Sequence, residues 1–278
     1  MSDDIDLTGY FERIGFSGSI APTLETLTTL VELHAAAIPF ENISPLTGEP
    51  VRLERLNLQQ KLIFDRRGGY CLEQNQLFHW VLETLGYENI DTLSARVVLG
   101  GDNPEDAHTH ILLAVPVGAN TYLTDVGFGG RSPTAPIRIR ADAEQETPHE
   151  VYRLTGGDPQ WRLEGKFDGE WLGLYVFDMT PHGPDEFQVM NDRVSSAGRF
   201  RDNLTVGRAM KGRRHGLVNL TYRTHTPAGE TEVTHLKSVA EIRDVLTGPF
   251  GISLPPADKL DPVLQMLVER ELPLLGAA

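Results

Sequence analysis

The chain has 278 residues, 40% of them hydrophobic and 8% aromatic, with a formal charge of −14; that length predicts two or three modules meeting at a cleft, and no apolar run approaches the roughly 18 residues of a membrane span. The acidic balance argues against nucleic acid as a partner, since a phosphate backbone needs a clustered basic face. The start Met1-Ser2-Asp3-Asp4-Ile5-Asp6 lacks the basic and then apolar pattern of a secretory signal, and one cysteine cannot form an internal disulfide, so a cytoplasmic protein is expected.

From the start to about residue 87 the apolar spacing is helical. Leu7, Tyr10, Phe11 and Ile14 share one face, and Leu24, Leu27, Leu30, Val31 and His34 share another after Pro22-Thr23. A third helix is predicted from Leu58 to Phe64. A fourth starts at Cys71, carries Leu77, Phe78, Val81, Leu82 and Leu85, and ends at Gly86. After residue 90 the period becomes that of strands, over Leu93 to Leu99, Ile111 to Val117, Tyr122 to Val126, Val151 to Leu154 and Trp171 to Phe177. Such short strands suit an antiparallel barrel or sandwich. The last third predicts strands over Leu217 to Tyr222 and Glu230 to His235, and a helix over Val239 to Leu246 opened by a Ser238 capping box. A final helix is predicted to begin with Asp261 as N-cap and Pro262 as its first residue. Between these, Arg208, Lys211, Arg213, Arg214 and His215 read as a solvated turn beside Gly212 and Gly216, with a local anion site as the other reading.

Chemistry concentrates at Asp65-Arg66-Arg67-Gly68-Gly69-Tyr70-Cys71-Leu72-Glu73-Gln74-Asn75. A lone cysteine is often an inert apolar residue, but here it stands at a helix start beside two arginines, where unpaired backbone N–H groups and guanidinium charge favour a thiolate. His110 and Asp125 follow on strand-like segments. Sulfur, imidazole and carboxylate in this order are the minimum set for covalent acyl chemistry. Asp125 lies in the apolar stretch Tyr122-Leu123-Thr124-Asp125-Val126 and needs a partner. His110 is the natural one, with the carboxylate accepting from Nδ1–H and Nε2 left facing the sulfur. His108 and His110 could form half of a metal site, but without HExxH or CxxC spacing no metal is expected. Gly127-Phe128-Gly129-Gly130 reads as a turn or as a backbone cradle for a phosphate or pantetheine chain.

Pro39-Phe40-Glu41-Asn42, Arg67 to Asn75, Thr109-His110 and Asp125-Val126-Gly127-Phe128-Gly129 resemble, in order, the successive signatures of the arylamine N-acetyltransferases. The opening Leu7-Thr8-Gly9-Tyr10-Phe11-Glu12-Arg13-Ile14 and Pro133-Thr134-Ala135-Pro136 are similar to actinobacterial members. The resemblance implies an α+β fold with an N-terminal helical bundle (1–88), a central antiparallel β-barrel (89–190) and a C-terminal interdomain segment and α/β lid (191–278), around a cysteine-protease-like Cys71, His110, Asp125 core. It implies acetyl-CoA as donor, arylamines or arylhydrazines as acceptors, and a ping-pong route through an acetyl-cysteine; a homodimer is left open. Carried over by position, Phe40 and Tyr70 line the acceptor pocket, Thr109, Gly127, Gly129 and Gly130 approach CoA, and Phe128 gates the thiol. Glu41 pairs with Arg67 to order the loop before Cys71, and Asn75 is structural beside the site. Where family members carry a Trp-Tyr pair followed by Ser-Thr-x-Pro-x-Ser-x-Phe, this chain reads Met190-Asn191-Asp192-Arg193-Val194-Ser195-Ser196-Ala197-Gly198-Arg199-Phe200, with Phe200 aligning with the last Phe. That departure predicts a narrowed or redirected acceptor choice with donor use retained. Two other readings use the same residues: an amide synthase closing a macrolactam from a polyketide thioester, and a papain- or transglutaminase-like thiol hydrolase. A catalytically silent binding module is disfavoured by three filled triad positions.

Overall fold

The computed structural model describes residues 4–99, 107–196, 198–226 and 229–275; Met1 to Asp3 of the acidic start and Ala197 of the divergent segment lie outside the described residues. The bundle comes first. Helix α1 (Leu7–Ile14) is capped by Asp6, whose carboxylate accepts from the Gly9 N–H at 3.0 Å, and α2 (Leu24–Ala37) by Thr23. The short β1 (Phe40–Glu41), α3 (Ile43–Thr47) and α4 (Arg55–Leu58) follow. The expected helix from Leu58 to Phe64 is a correction: it continues α4 in wider i→i+5 turns over Gln59–Phe64, as in the 2.8 Å bond from Asp65 N–H to Gln60 C=O. Helix α5 (Cys71–Thr84) ends before Gly86, whose φ of +86° is the left-handed stop the sequence predicts. Leu27, Leu30 and Val31 of α2 meet Leu77, Phe78, Val81 and Leu82 of α5 in one buried core. Leu113, Val115 and Val126 of the next module enter that same core, so burial of α5 also fixes where Cys71 stands relative to the strands.

Strands β2 (Asp91–Val97), β3 (His110–Val117), β4 (Asn120–Thr124), β5 (Ile137–Arg138), β6 (Gln145–Glu146), β7 (Val151–Gly157), β8 (Gln160–Phe167) and β9 (Glu170–Pro181) make one antiparallel sheet in the order β5-β4-β3-β2-β9-β8-β7-β6. The sheet curls until its edges almost meet. There the Gln145 side chain stands in for a ladder rung, accepting from Arg138 N–H at 2.8 Å and donating to Arg138 C=O at 3.0 Å. Alternate residues, among them Leu93, Ala95, Leu112, Ala114, Leu123, Leu154, Leu163 and Tyr175, fill the interior. Strand β8 escapes the sequence reading because Gln-Trp-Arg-Leu-Glu-Gly-Lys-Phe buries only Leu163 and Gly165 and hides its alternation.

Helices α6 (Pro184–Ser196) and α7 (Arg199–Asp202) lead to the lid, so the 190/191 division falls inside α6. Strands β10 (Thr205–Met210), β11 (Arg213–Val218), β12 (Thr221–His225) and β13 (Thr231–His235) form an antiparallel sheet with β1 of the bundle at its edge, Phe40 opposite Gly207. Helices α8 (Val239–Thr247) and α9 (Ala257–Leu275) cover it through Ile242, Leu246, Leu260, Leu264 and Leu267. Three expectations are corrected here. The strand predicted over Leu217 to Tyr222 is two strands joined by a tight turn, with Asn219 at φ +50° and its side chain accepting from Leu204 N–H at 2.9 Å. The last helix begins at Ala257 and runs through Asp261-Pro262: the carbonyl that Pro262 leaves unpaired is that of exposed Asp258, which water can serve, while the apolar stripe is buried. The Arg208 to His215 cluster is no solvated loop but a hairpin turning at Lys211-Gly212, with Arg214 and His215 buried.

Candidate active site

Cys71 is the first residue of α5, and the loop before it is built by close approaches. A Cβ on Gly68 would sit 2.1 Å from Pro39 O, and one on Gly69 2.7 Å from Glu73 Oε2, so only glycine passes here. Glu73 reaches back to accept the Tyr70 N–H at 3.0 Å and takes the Lys61 ammonium at 2.6 Å. The Arg67 guanidinium meets Glu41 at 2.8 Å, and Glu41 also accepts the Ile43 N–H at 2.6 Å. Burial works to raise the Glu41 pKa, but the Arg67 and Lys61 charges and these bonds outweigh it and hold it below the usual carboxylate value. The thiol donates to the Thr109 carbonyl at 3.7 Å and is 4% exposed.

His110 opens β3, and Asp125 follows the end of β4. Their contact runs from Nε2 to Oδ2 at 2.7 Å, which reverses the expected ring orientation. The register explains it: the last β3–β4 pair is Leu113 with Thr124, so Asp125 lies about opposite Leu112, two residues from His110, and only the far nitrogen spans the gap. Nδ1 is thereby left for the sulfur. Asp125 Oδ1 accepts from Asn75 Nδ2 and from the Gly127 N–H, each at 2.9 Å. Asn75 also donates to Ile111 O at 2.7 Å and accepts from the Val126 N–H at 3.0 Å, so one α5 amide locks both strands to the helix. All three groups are buried. Burial disfavours the imidazolium, yet the charge and hydrogen bond of Asp125, helped by Cys71, carry the His110 pKa well above its ordinary value; burial would raise the Asp125 pKa, and His110 and its hydrogen bonds lower it instead.

The flanking residues divide. Phe40 and Tyr70 both pack on Phe200, at ring separations of 5.9 and 5.8 Å, and Tyr70 is fully buried. Gly127 packs against the helix start, where a Cβ would stand 2.8 Å from Cys71 Cα; Gly129, at φ +84°, lies against the Phe40 ring; a Cβ on Gly130 would meet open space. Thr109, Gly129, Gly130 and Phe128 are half-buried, with the Phe128 ring edge-on to His110 at 5.0 Å. The sequence reading missed Tyr175, whose ring lies 5.0 Å from His110 and which only its inward place on β9 could have flagged. It also missed Asn191, which the Tyr70 hydroxyl reaches and which no local pattern announces. A cleft of about 570 Å³ opens between barrel and lid, lined by His149, Lys166, Phe167 and His225, whereas the space beside Phe40 and Gly129 is about 10 Å³. No cluster of three or more His, Cys, Asp or Glu side chains poised for a metal occurs among the described residues, nor a helix long and apolar enough to cross a membrane.

Residues 23–259 match the family model described as N-acetyltransferase. The chain is 41% identical over 257 residues to the arylamine N-acetyltransferase of Mycolicibacterium smegmatis, covering 90% of this chain and 93% of the relative, and 35% identical over 252 residues to that of Escherichia coli, covering 89% of each. The solved structure of the Mycobacterium marinum arylamine N-acetyltransferase in complex with CoA superimposes with a TM-score of 0.90 at 36% identity, covering 94% of this chain and 99% of that one. A thiol, imidazole and carboxylate held at the junction of bundle and barrel, in a chain that matches such enzymes nearly end to end, make this protein an acyltransferase that belongs to the arylamine N-acetyltransferase family.

Proposed function

We propose that this protein moves the acetyl group of acetyl-CoA to the nitrogen of arylamines or arylhydrazines in two steps through an acetyl-Cys71 intermediate. The observation that carries this reading is the buried hydrogen-bonded line from Asp125 through His110 towards Cys71. Held as an imidazolium by Asp125, His110 supplies the counter-charge for a Cys71 thiolate. The sulfur attacks the acetyl carbon, the Cys71 and Leu72 N–H groups at the start of α5 stabilise the developing oxyanion, and the carbon–sulfur bond to CoA breaks. CoA leaves with a proton from His110. In the second step the amine nitrogen attacks the thioester, its proton passes to His110 Nδ1, and the thiolate is released. Nδ1 has this role because Nε2 is bound to Asp125. Weakly basic aromatic amines are neutral and nucleophilic near neutral pH, whereas an alkylamine arrives protonated, which suits the acceptor class.

Thr109, Phe128, Gly129 and Gly130 form the half-exposed approach to the thiol that we assign to the pantetheine arm, and Phe40, Tyr70 and Phe200 form the acceptor wall. A lone free cysteine supports work in a reducing compartment, the cytoplasm. Intact-protein mass spectrometry after acetyl-CoA without amine tests the reading. One acetyl adduct on Cys71, absent from Cys71→Ser and discharged by added arylamine, is expected; an adduct on lysine, or none, rejects it.

A further inference from the structure

Tyr70 is held differently at its two ends. Its backbone is the cap of α5, with the N–H given to Glu73 and the carbonyl taken by the Glu73 and Gln74 N–H groups at 3.0 Å each. Its side chain runs away from the helix, packs on Phe200, and donates its hydroxyl proton to Asn191 Oδ1. Asn191 is 2% exposed, and its amide is engaged at both ends: Nδ2 donates to the Val51 carbonyl at 3.0 Å, which fixes which end of the amide meets the tyrosine. Asn191 belongs to α6, the segment between barrel and lid, and its neighbours Phe187 and Met190 pack with Val51, Leu53, Tyr70, Cys71 and Ile111 in one apolar cluster.

We propose that Asn191 is a positioning residue for acceptor selection, setting the tilt of the Tyr70 ring and through it the Phe200–Phe40 wall beside Cys71. This rests on the reading of that wall as the acceptor site. The physical case is the asymmetry just described: the backbone of Tyr70 is fixed by the helix cap, while the far end of its buried side chain gives its hydrogen bond to a different module, and a buried hydroxyl without that partner would have to move to find another. A ring displaced in this way shifts the face against which an aromatic acceptor packs, which weakens acceptor binding more than chemistry at the sulfur.

Steady-state kinetics with a panel of anilines at saturating acetyl-CoA, on wild type, Asn191→Leu, Tyr70→Phe and the double variant, test it. Wild type is first checked for acetyl-Cys71 by intact mass, so that failure of the acetyl-transfer reading is seen separately. The expected result is a rise in acceptor KM of about fivefold or more in Asn191→Leu, with kcat changed less, the same signature in Tyr70→Phe, and no further rise in the double variant. Should Asn191→Leu not fold, Tyr70→Phe, which removes the same bond by one oxygen atom, carries the measurement alone. An unchanged acceptor KM in either folded variant, an equal fall of kcat with KM unmoved, or additive effects in the double variant would overturn the proposal.

Discussion

Asp125 is a buried charge whose every visible contact serves another residue of the site: it orients His110, takes the Asn75 amide and fixes the Gly127 backbone. Asp125→Asn keeps the shape and removes the charge that holds His110 protonated. Transfer is expected to fall at least ~10²-fold while the fold persists, and alkylation of Cys71 by iodoacetamide is expected to shift to higher pH. An unshifted alkylation profile would show that the carboxylate and the thiol are not coupled. The stability difference between wild type and variant has its own pH signature. Asp125 is depressed below 3.8 and contributes above that value; His110 is raised above 6.5 and contributes fully below that value, then fades as pH rises through its folded pKa. The difference is therefore greatest between those two values and shrinks on either side.

Among the elements, the contact of α2 with α5 contains a buried polar chain that an apolar periodicity cannot announce. Gln74 donates to Gly69 O at 2.7 Å, so its oxygen faces His34 Nε2 at 3.2 Å; the ring must be Nε2–H, and its Nδ1 accepts from the Tyr10 hydroxyl at 2.9 Å. Three helices thus brace the loop ahead of Cys71 through one neutral imidazole. Burial lowers the His34 pKa from 6.5 to about 3. Between those values the unfolded chain takes up a proton that the folded chain refuses, so the stability present above 6.5 is lost as pH falls, by up to ~1.4 kcal/mol per pH unit. Urea unfolding of wild type and His34→Gln at about pH 7 and about pH 5 checks this: the variant is expected to be less stable at the higher pH and to lose less on acidification. Parallel losses would assign the acid sensitivity to another group.

Across the whole molecule, lid and barrel are tied by one buried ion pair. Arg214 of β11 places its guanidinium on both oxygens of Glu150 and on the carbonyls of Ser132 at 2.9 Å and Gly130 at 3.3 Å, directly beyond the loop that follows Asp125. The lid backbone touches the same loop, since a Cβ on Gly207 would stand 2.4 Å from Gly130 N. Removing one partner strands the other charge, so Arg214→Leu is expected to cost about 3–5 kcal/mol. Arg214→Leu with Glu150→Leu is expected to recover much of it, read from denaturant midpoints. Equal losses in the single and double variants would place the cost in packing instead of in charge.

Local order was legible in the chain alone. The opening of the second helix at Pro22-Thr23, the cap at Ser238, the stop at Gly86, the helix start at Cys71, and most barrel strands follow from periodicity and capping, because those interactions span only a few residues. The identities of Cys71, His110 and Asp125 were legible too, since a nucleophile beside paired glycines and a carboxylate inside an apolar strand are conspicuous on chemical grounds, whereas the Glu41–Arg67 pair came only from the family resemblance. Tertiary structure alone decided which imidazole nitrogen meets the carboxylate, because that depends on a strand register two residues out of line. It decided that Leu217 to Tyr222 turns back on itself and that a helix runs through Pro262, where burial of a distant apolar face overrides the local signal. It alone brought Asn191 to Tyr70, Tyr175 to His110 and Arg214 to Glu150, contacts between residues 121, 65 and 64 positions apart, whose partners packing selects and sequence spacing does not encode.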